Sequence, residues 1–277
     1  MSQGPWSHHS RNASVADDID FEIKGQELQF LEIELDPGES AVAEAGALVW
    51  KDASIEMTTV FGDGSGASGG GFMGKLLGAG KRLVTGESLF TTVFTHNGSG
   101  KARVAFASPT PGAILPLKLS DVGGTLICQK DSFLAAARGV SIGIAFQRKV
   151  MTGLFGGEGF IMQKLDGDGW VFVQMGGTIV ERTLAAGEEL HVDTGCIAAL
   201  TPSVDFDVMS AGGVRSMLFG GEGLFFARLR GPGKVWIQSL PFSRLAGRMM
   251  AAAGGGGQNR GEGSVLGGLG DLIGGNN

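Results

Sequence analysis

One six-residue stretch occurs twice in this chain, letter for letter. Leu154-Phe155-Gly156-Gly157-Glu158-Gly159 returns as Leu218-Phe219-Gly220-Gly221-Glu222-Gly223, 64 residues later. A looser form, Gly86-Glu87-Ser88-Leu89-Phe90, places Glu87 71 residues before Glu158. A lone glycine-rich loop invites a phosphate-binding reading. A loop that recurs at near-constant spacing instead marks a supersecondary unit copied together with its joints. Gly86, Glu87, Gly157, Glu158, Gly221 and Glu222 are therefore expected to be repeat joints that serve geometry.

The flanking sequence alternates apolar and polar residues at the strand period. Leu28-Gln29-Phe30-Leu31-Glu32-Ile33-Glu34-Leu35 is the clearest run, and Asp36-Pro37-Gly38 ends it with turn chemistry. Gly38-Glu39-Ser40 followed by Gly46-Ala47-Leu48 matches Gly187-Glu188-Glu189 followed by Gly195-Cys196-Ile197 at an offset of 149. Each unit is expected to close with a hairpin opened by the Gly-Glu loop. The pairs are 89–95 with 102–107, 160–165 with 170–175, and 224–229 with 235–240, across turns rich in Gly, Asp and Asn. Fifty glycines against 8 prolines fit many tight turns between short strands.

This reading predicts an all-β chain of three tandem, barrel-like units. A flexible leader covers 1–19. The first unit covers 20–117 and carries a glycine-rich insertion at 61–85. The second covers 118–184, the third 185–246, and a disordered glycine-rich tail 247–277.

The formal net charge of −6 speaks against nucleic acid as a general partner, because phosphate contacts need a basic surface. Cys128 and Cys196 sit in apolar contexts and read as buried reduced thiols rather than a disulfide or metal pair. No apolar run is long enough to span a membrane, and residues 1–20 lack a secretory core. A cytoplasmic location is expected.

Catalytic signals are sparse. The four histidines, His8, His9, His96 and His191, form no ligand spacing with cysteines or acids, and no Gly-x-Ser-x-Gly elbow occurs. Gly69-Gly70-Gly71-Phe72-Met73-Gly74-Lys75 has the glycine and lysine spacing of a phosphate loop. Leu76 then stands where a Ser or Thr must hold magnesium. Asp166-Gly167-Asp168-Gly169 starts like a calcium loop but lacks the closing Glu, so a turn accounts for it better. No catalytic residue, metal site or cofactor is called.

The insertion is the most distinctive local segment. Wound at about 100° per residue, Phe72, Met73, Leu76 and Leu77 share one side with Ala79, Leu83 and Val84, while Lys75, Lys81 and Arg82 lie opposite. Such a basic amphipathic segment suits an anionic membrane surface, a protein partner, or the cover of its own barrel.

Taken together, the insertion from Gly71 through Phe90, the twin Gly-Gly-Glu-Gly loops and the order of the three units resemble the family named after the altered inheritance of mitochondria protein 24. The resemblance covers roughly residues 20–245. It implies a double-stranded β-helix of repeated units similar to the trp RNA-binding attenuation protein fold, here placed about a pseudo-threefold axis. It carries no catalytic residues across. That ring protein binds RNA through lysine-rich repeats, whereas the matching strands here hold Val93, Lys164 and Arg228.

The function expected is that of a non-enzymatic scaffold or interaction protein. A protein partner or self-association is expected, with membrane-surface contact through 72–84. The alternative is a small-molecule-binding or enzymatic β-barrel with a site between units.

Overall fold

The computed structural model describes residues 16–61, 90–108, 110–148, 160–210 and 225–254. Its strands, β1 to β19 in chain order, form four antiparallel sheets. The first runs β1 (Asp20–Lys24), β2 (Phe30–Leu35), β7 (Ala102–Phe106), β4 (Leu48–Lys51). The second runs β5 (Ile55–Phe61), β6 (Phe90–His96), β3 (Ser40–Glu44), β10 (Phe133–Ala137), β13 (Trp170–Gly176), β8 (Gly112–Lys118). The third runs β11 (Ser141–Arg148), β12 (Phe160–Asp166), β9 (Thr125–Gln129), β16 (Ile197–Leu200), β19 (Gly233–Gln238), β14 (Ile179–Leu184). The fourth holds β15 (Glu189–Asp193), β18 (Phe225–Arg230) and β17 (Asp205–Ser210).

These orders are related by simple arithmetic. Adding six to each strand number of the second sheet gives the third. Adding six to the first half of the third gives β17-β18-β15, the fourth sheet. Subtracting six from the last half of the second gives β4-β7-β2, which with β1 is the first.

Three apolar clusters hold the layers together. Leu31, Ile33, Val104 and Phe106 of the first sheet pack against Ala41, Phe94 and Phe172 of the second. Val171 and Val173 on the other face of the second meet Leu126, Leu165 and Trp236 of the third. Ile127, Phe160 and Val235 then meet Ala227, Leu229 and Val192 of the fourth. The central strands of both inner sheets, such as β10 and β13, are thus apolar on both faces and read as nearly continuous hydrophobic runs.

The expected hairpins are corrected. The strands form close to where the sequence places them, but β6 pairs with β3 and β5, while β7 pairs with β2 and β4. Likewise β12 and β13 lie in different sheets, as do β18 and β19. The turns at 96–100, 166–169 and 230–233 therefore cross from one layer to the next. A tight Gly-Asp turn has the same residue preferences in either role, so local chemistry does not fix the pairing partner. The true hairpins among the described strands are β1–β2, across a short turn, and β5–β6, β11–β12 and β17–β18, these three each joined by a long connection.

The turns 149 residues apart do correspond in detail. The backbone N–H groups of Gly38 and Gly187 donate to the carbonyls of His96 and Gly231, at 2.8 and 3.1 Å. Glu39 and Glu188 each accept from the N–H three residues back, of Asp36 and Ala185, both at 2.8 Å. Both glycines hold positive φ, +92° and +80°, which a side chain would strain.

Residues 16 and 17, assigned to a loose leader, are tied down. The Ala16 N–H donates to Asp168, and the Asp17 N–H to the Arg138 carbonyl. At the other end a helix, α1 (Phe242–Gly254), crosses residue 247, where the sequence reading begins a disordered tail. Pro241 before it and the spacing of Leu245 and Met249 were its sequence signals.

Candidate functional site

Phe72, Met73, Lys75, Leu76, Leu77, Lys81, Arg82, Gly86, Glu87, Gly157, Glu158, Gly221 and Glu222 lie outside the described residues. What the structure fixes is where their segments leave and return. The β5–β6 ladder ends at Phe61 opposite Phe90, β11–β12 at Arg148 opposite Phe160, and β17–β18 at Ser210 opposite Phe225. Each connection is held at its base by one residue pair, and residues 62–89 make the longest. The glycine loops belong to these connections, not to the layer-crossing turns.

A second feature was missed by the sequence reading. Among the described residues strand β4 ends the first sheet and β15 ends the fourth, each with one neighbour, β7 and β18 respectively. Along β4, Leu48, Val49 and Trp50 are 36, 55 and 38% exposed. Three consecutive exposed apolar residues on an open strand edge form an adhesive surface. The run Ala47-Leu48-Val49-Trp50 breaks apolar–polar alternation, and that was the available signal.

The outer faces of the end layers are polar. On the first sheet Lys101 reaches Glu34 at 2.6 Å, Lys24 reaches Glu32 at 2.8 Å, and Arg103 reaches Glu34 at 2.9 Å. Hydrogen bonds from Lys101, then Arg103, hold the Glu34 carboxyl below its ordinary value. The same contact with Glu34 raises Lys101. On the fourth sheet Arg228 faces Asp207 at 3.8 Å. Lys164, at the position matching Arg228, pairs with Asp166 at 2.9 Å. Both of these cations are thus matched by acids, and Val93 supplies none.

Inside, polar groups gather where sheets meet. Gln238 donates to Gln129 at 3.2 Å and to the Gly195 carbonyl at 3.0 Å, and accepts from the Gly176 N–H at 2.9 Å. Glu44, at the end of β3, is pushed up to about 7, first by burial and then by the nearby charge of Asp131. Cys128 is fully buried and free, its thiol raised to about 12 by desolvation. Cys196 is half-buried, free, and raised for the same principal reason. His96 is buried in its turn against the Gly100 carbonyl at 2.9 Å, while His191 is exposed beside Phe226. Among the described residues no three His, Cys, Asp or Glu side chains converge to hold a metal ion. No described helix is long and apolar enough to cross a membrane.

The family described as "Mitochondrial biogenesis AIM24" matches residues 21–240, which takes in every strand but the first residue of β1. The chain belongs to the AIM24 family. An uncharacterised protein of Streptococcus pyogenes serotype M6 is 30% identical over 248 residues, covering 87% of this chain and 94% of its own length. A crystal structure of a Streptococcus pyogenes protein superposes with a TM-score of 0.67 at 25% identity. It covers 84% of this chain and 99% of that one. The AIM24 assignment therefore rests on the whole layered body and not on one loop.

Proposed function

We propose that this AIM24 protein is a non-enzymatic scaffold whose working segment is the 62–89 connection, with residues 72–84 as the contact to an anionic membrane surface. The observation that carries the reading is the placement of that segment. A basic amphipathic stretch leaves and re-enters the body through a single pair, Phe61 opposite Phe90, at the end of a seven-residue ladder. A contact segment anchored in this way is positioned by the sheet that carries it. The body is three six-strand units, β2–β7, β8–β13 and β14–β19, in a double-stranded β-helical arrangement. The sixfold shift in strand order and the matched turns at Gly38 and Gly187 support that division.

Flotation with vesicles tests the reading. The full chain is expected to float with vesicles containing anionic lipid and to remain below with neutral ones, while the Leu76→Asp/Leu77→Asp variant stays below with both. Equal flotation of both proteins, or none of either, removes the membrane contact.

A further inference from the structure

The three long connections and the helix α1 leave the body at one end. In the second sheet the ladders place Phe61 and Phe90 at the same end as Glu44, Phe133 and Gly176. In the third they place Arg148 and Phe160 with Gln129, Ile197 and Gln238. In the fourth, Ser210 and Phe225 lie at the Asp193 end of β15. Hydrogen bonds join these ends. The Gly176 N–H donates to Gln238, the Gln238 amide donates to Gln129, and the Leu240 N–H donates to the Gly176 carbonyl at 3.0 Å. Pro241 follows, α1 begins, and Arg244 in its first turn meets Asp193 at 3.3 Å.

We infer that α1 is a second contact with an anionic membrane surface, held at the same end of the body as the 62–89 connection so that both meet one bilayer. The inference rests on the membrane reading of that connection for the kind of surface it names.

Three observations carry it. The first is apolar exposure. Phe242, Met249 and Met250 are 53, 62 and 75% exposed. Wound at about 100° per residue, Phe242, Ala246 and Met249 share one side, flanked by Leu245 and Met250, while Arg244 and Arg248 lie opposite. Unbranched methionine side chains adapt to an irregular acyl boundary at little cost.

The second is charge. The helix carries two arginines and no acid, in a chain whose formal net charge is −6. Arg244 is matched by Asp193, while Arg248, one turn on, is exposed. A guanidinium in that position suits a lipid phosphate, and it disfavours a second copy of the same cationic helix.

The third is size and placement. Thirteen residues span about 20 Å as a helix, too short to cross a bilayer and long enough to lie along its surface. A helix of this size binds a surface weakly alone. Fixed to the same rigid end as another contact, it meets the bilayer at high effective concentration.

An environment-sensitive dye on Met249→Cys, in a Cys196→Ser background, reads the helix directly, since Cys128 is buried and does not compete. Its emission is expected to shift to the blue with vesicles of equal parts phosphatidylglycerol and phosphatidylcholine, and to stay unshifted with phosphatidylcholine alone. The same dye on Asp121→Cys, in the turn between β8 and β9 at the opposite end, is expected to stay unshifted with both. Met249→Gln/Met250→Gln is expected to weaken vesicle binding of the full chain about tenfold or more, and Met249→Leu/Met250→Leu to keep it at the parental level. Melts of both variants should match the parent, because these side chains are mostly in water.

An unshifted dye at 249 overturns the proposal; on vesicles with which the chain still floats, it leaves the 72–84 contact standing. A shift at 249 combined with a Leu76→Asp/Leu77→Asp variant that floats like the parent supports the helix and removes the 72–84 contact. A glutamine variant that binds vesicles like the parent also overturns the proposal, and a changed mass in light scattering would then place a second copy on α1.

Discussion

The β3–β10 junction and the open edge of β4 use the same bulge and the same strand order, yet they bury their residues very differently. At the junction Ala41, Ala43, Ala135 and Ala137 are wholly buried, whereas on β4 Leu48, Val49 and Trp50 face water. The difference teaches that a strand's burial here is set by its neighbour and not by its own composition. The small residues belong to the closed junctions, where two layers and two edges meet and no volume is free. The large ones belong to the edge that no described strand covers.

The largest effect should come from placing the same charge at the two corresponding positions. Ala135→Glu buries a carboxylate between apolar layers and is expected to cost more than about 4 kcal/mol, enough to lose soluble protein. Trp50→Glu, at the matching position on β4, is expected to stay within about 1 kcal/mol of the parent in urea unfolding at submicromolar concentration. If both substitutions unfold the chain alike, the edge is already a core and the comparison collapses.

Next come the glycines that let successive strands pass. A Cβ on Gly112 would overlap the Met175 carbonyl oxygen, and one on Gly176 would overlap that of Leu240. Backbone cannot give way as a flexible side chain does, so Gly112→Ala and Gly176→Ala should each cost about 2–3 kcal/mol. Gly38→Ala meets open space and only a positive φ, and should cost about 1 kcal/mol. Thermal melts of the three variants rank them. A Gly176→Ala variant as stable as Gly38→Ala would show that the passage is loose.

A smaller contrast separates two buried glutamines 64 residues apart. Gln238 is bonded to Gln129, Gly195 and Gly176, and Gln238→Leu orphans those groups at a cost of about 2 kcal/mol. Gln174 makes one long bond, 3.4 Å to the Thr110 carbonyl, and its Oε1 has no partner among the described residues. Gln174→Leu should therefore cost under about 1 kcal/mol. The midpoints of urea unfolding at unchanged slope decide the order.

Much of this architecture was legible in the sequence. Alternation located strands such as β2 and β12, and the recurring Gly-Glu turns located Gly38 and Gly187, because both signals are local. Pairing was not legible. The residues at 96–100 and 166–169 turn a chain equally well within a sheet or between sheets, and only the distant partners decide which, β3 and β2 for the first turn and β9 and β8 for the second. Trp50 escaped notice for a related reason. An aromatic residue in a strand reads as core, and its exposure is visible only when the missing neighbour is known to be missing.

A final contrast isolates the cost of the closed junction for an acid. Glu44, Gln129 and Asp193 take corresponding places at the ends of β3, β9 and β15, opposite Thr91, Met162 and Phe226. Asp193, at the open edge, is held by Arg244 at 3.3 Å and by the Gly195 N–H at 2.9 Å. Glu44, at a closed junction, titrates near 7 because burial, and then Asp131, disfavour its charge. Its folded value lies above the unfolded one, so the folded state binds the extra proton and is favoured at low pH. Stability should fall as pH rises from about 4.5 to about 7 and stay lower above that window. Glu44→Gln removes the penalty, and should raise stability at pH 8 by about 2 kcal/mol while leaving it unchanged near pH 4. Asp193→Asn should do the opposite at pH 8, losing a fraction of 1 kcal/mol with its exposed ion pair. Paired melts of the two variants across pH 4–8 read both signs at once. A Glu44→Gln variant no more stable than the parent at pH 8 would place that carboxylate in water and open the junction that its burial defines.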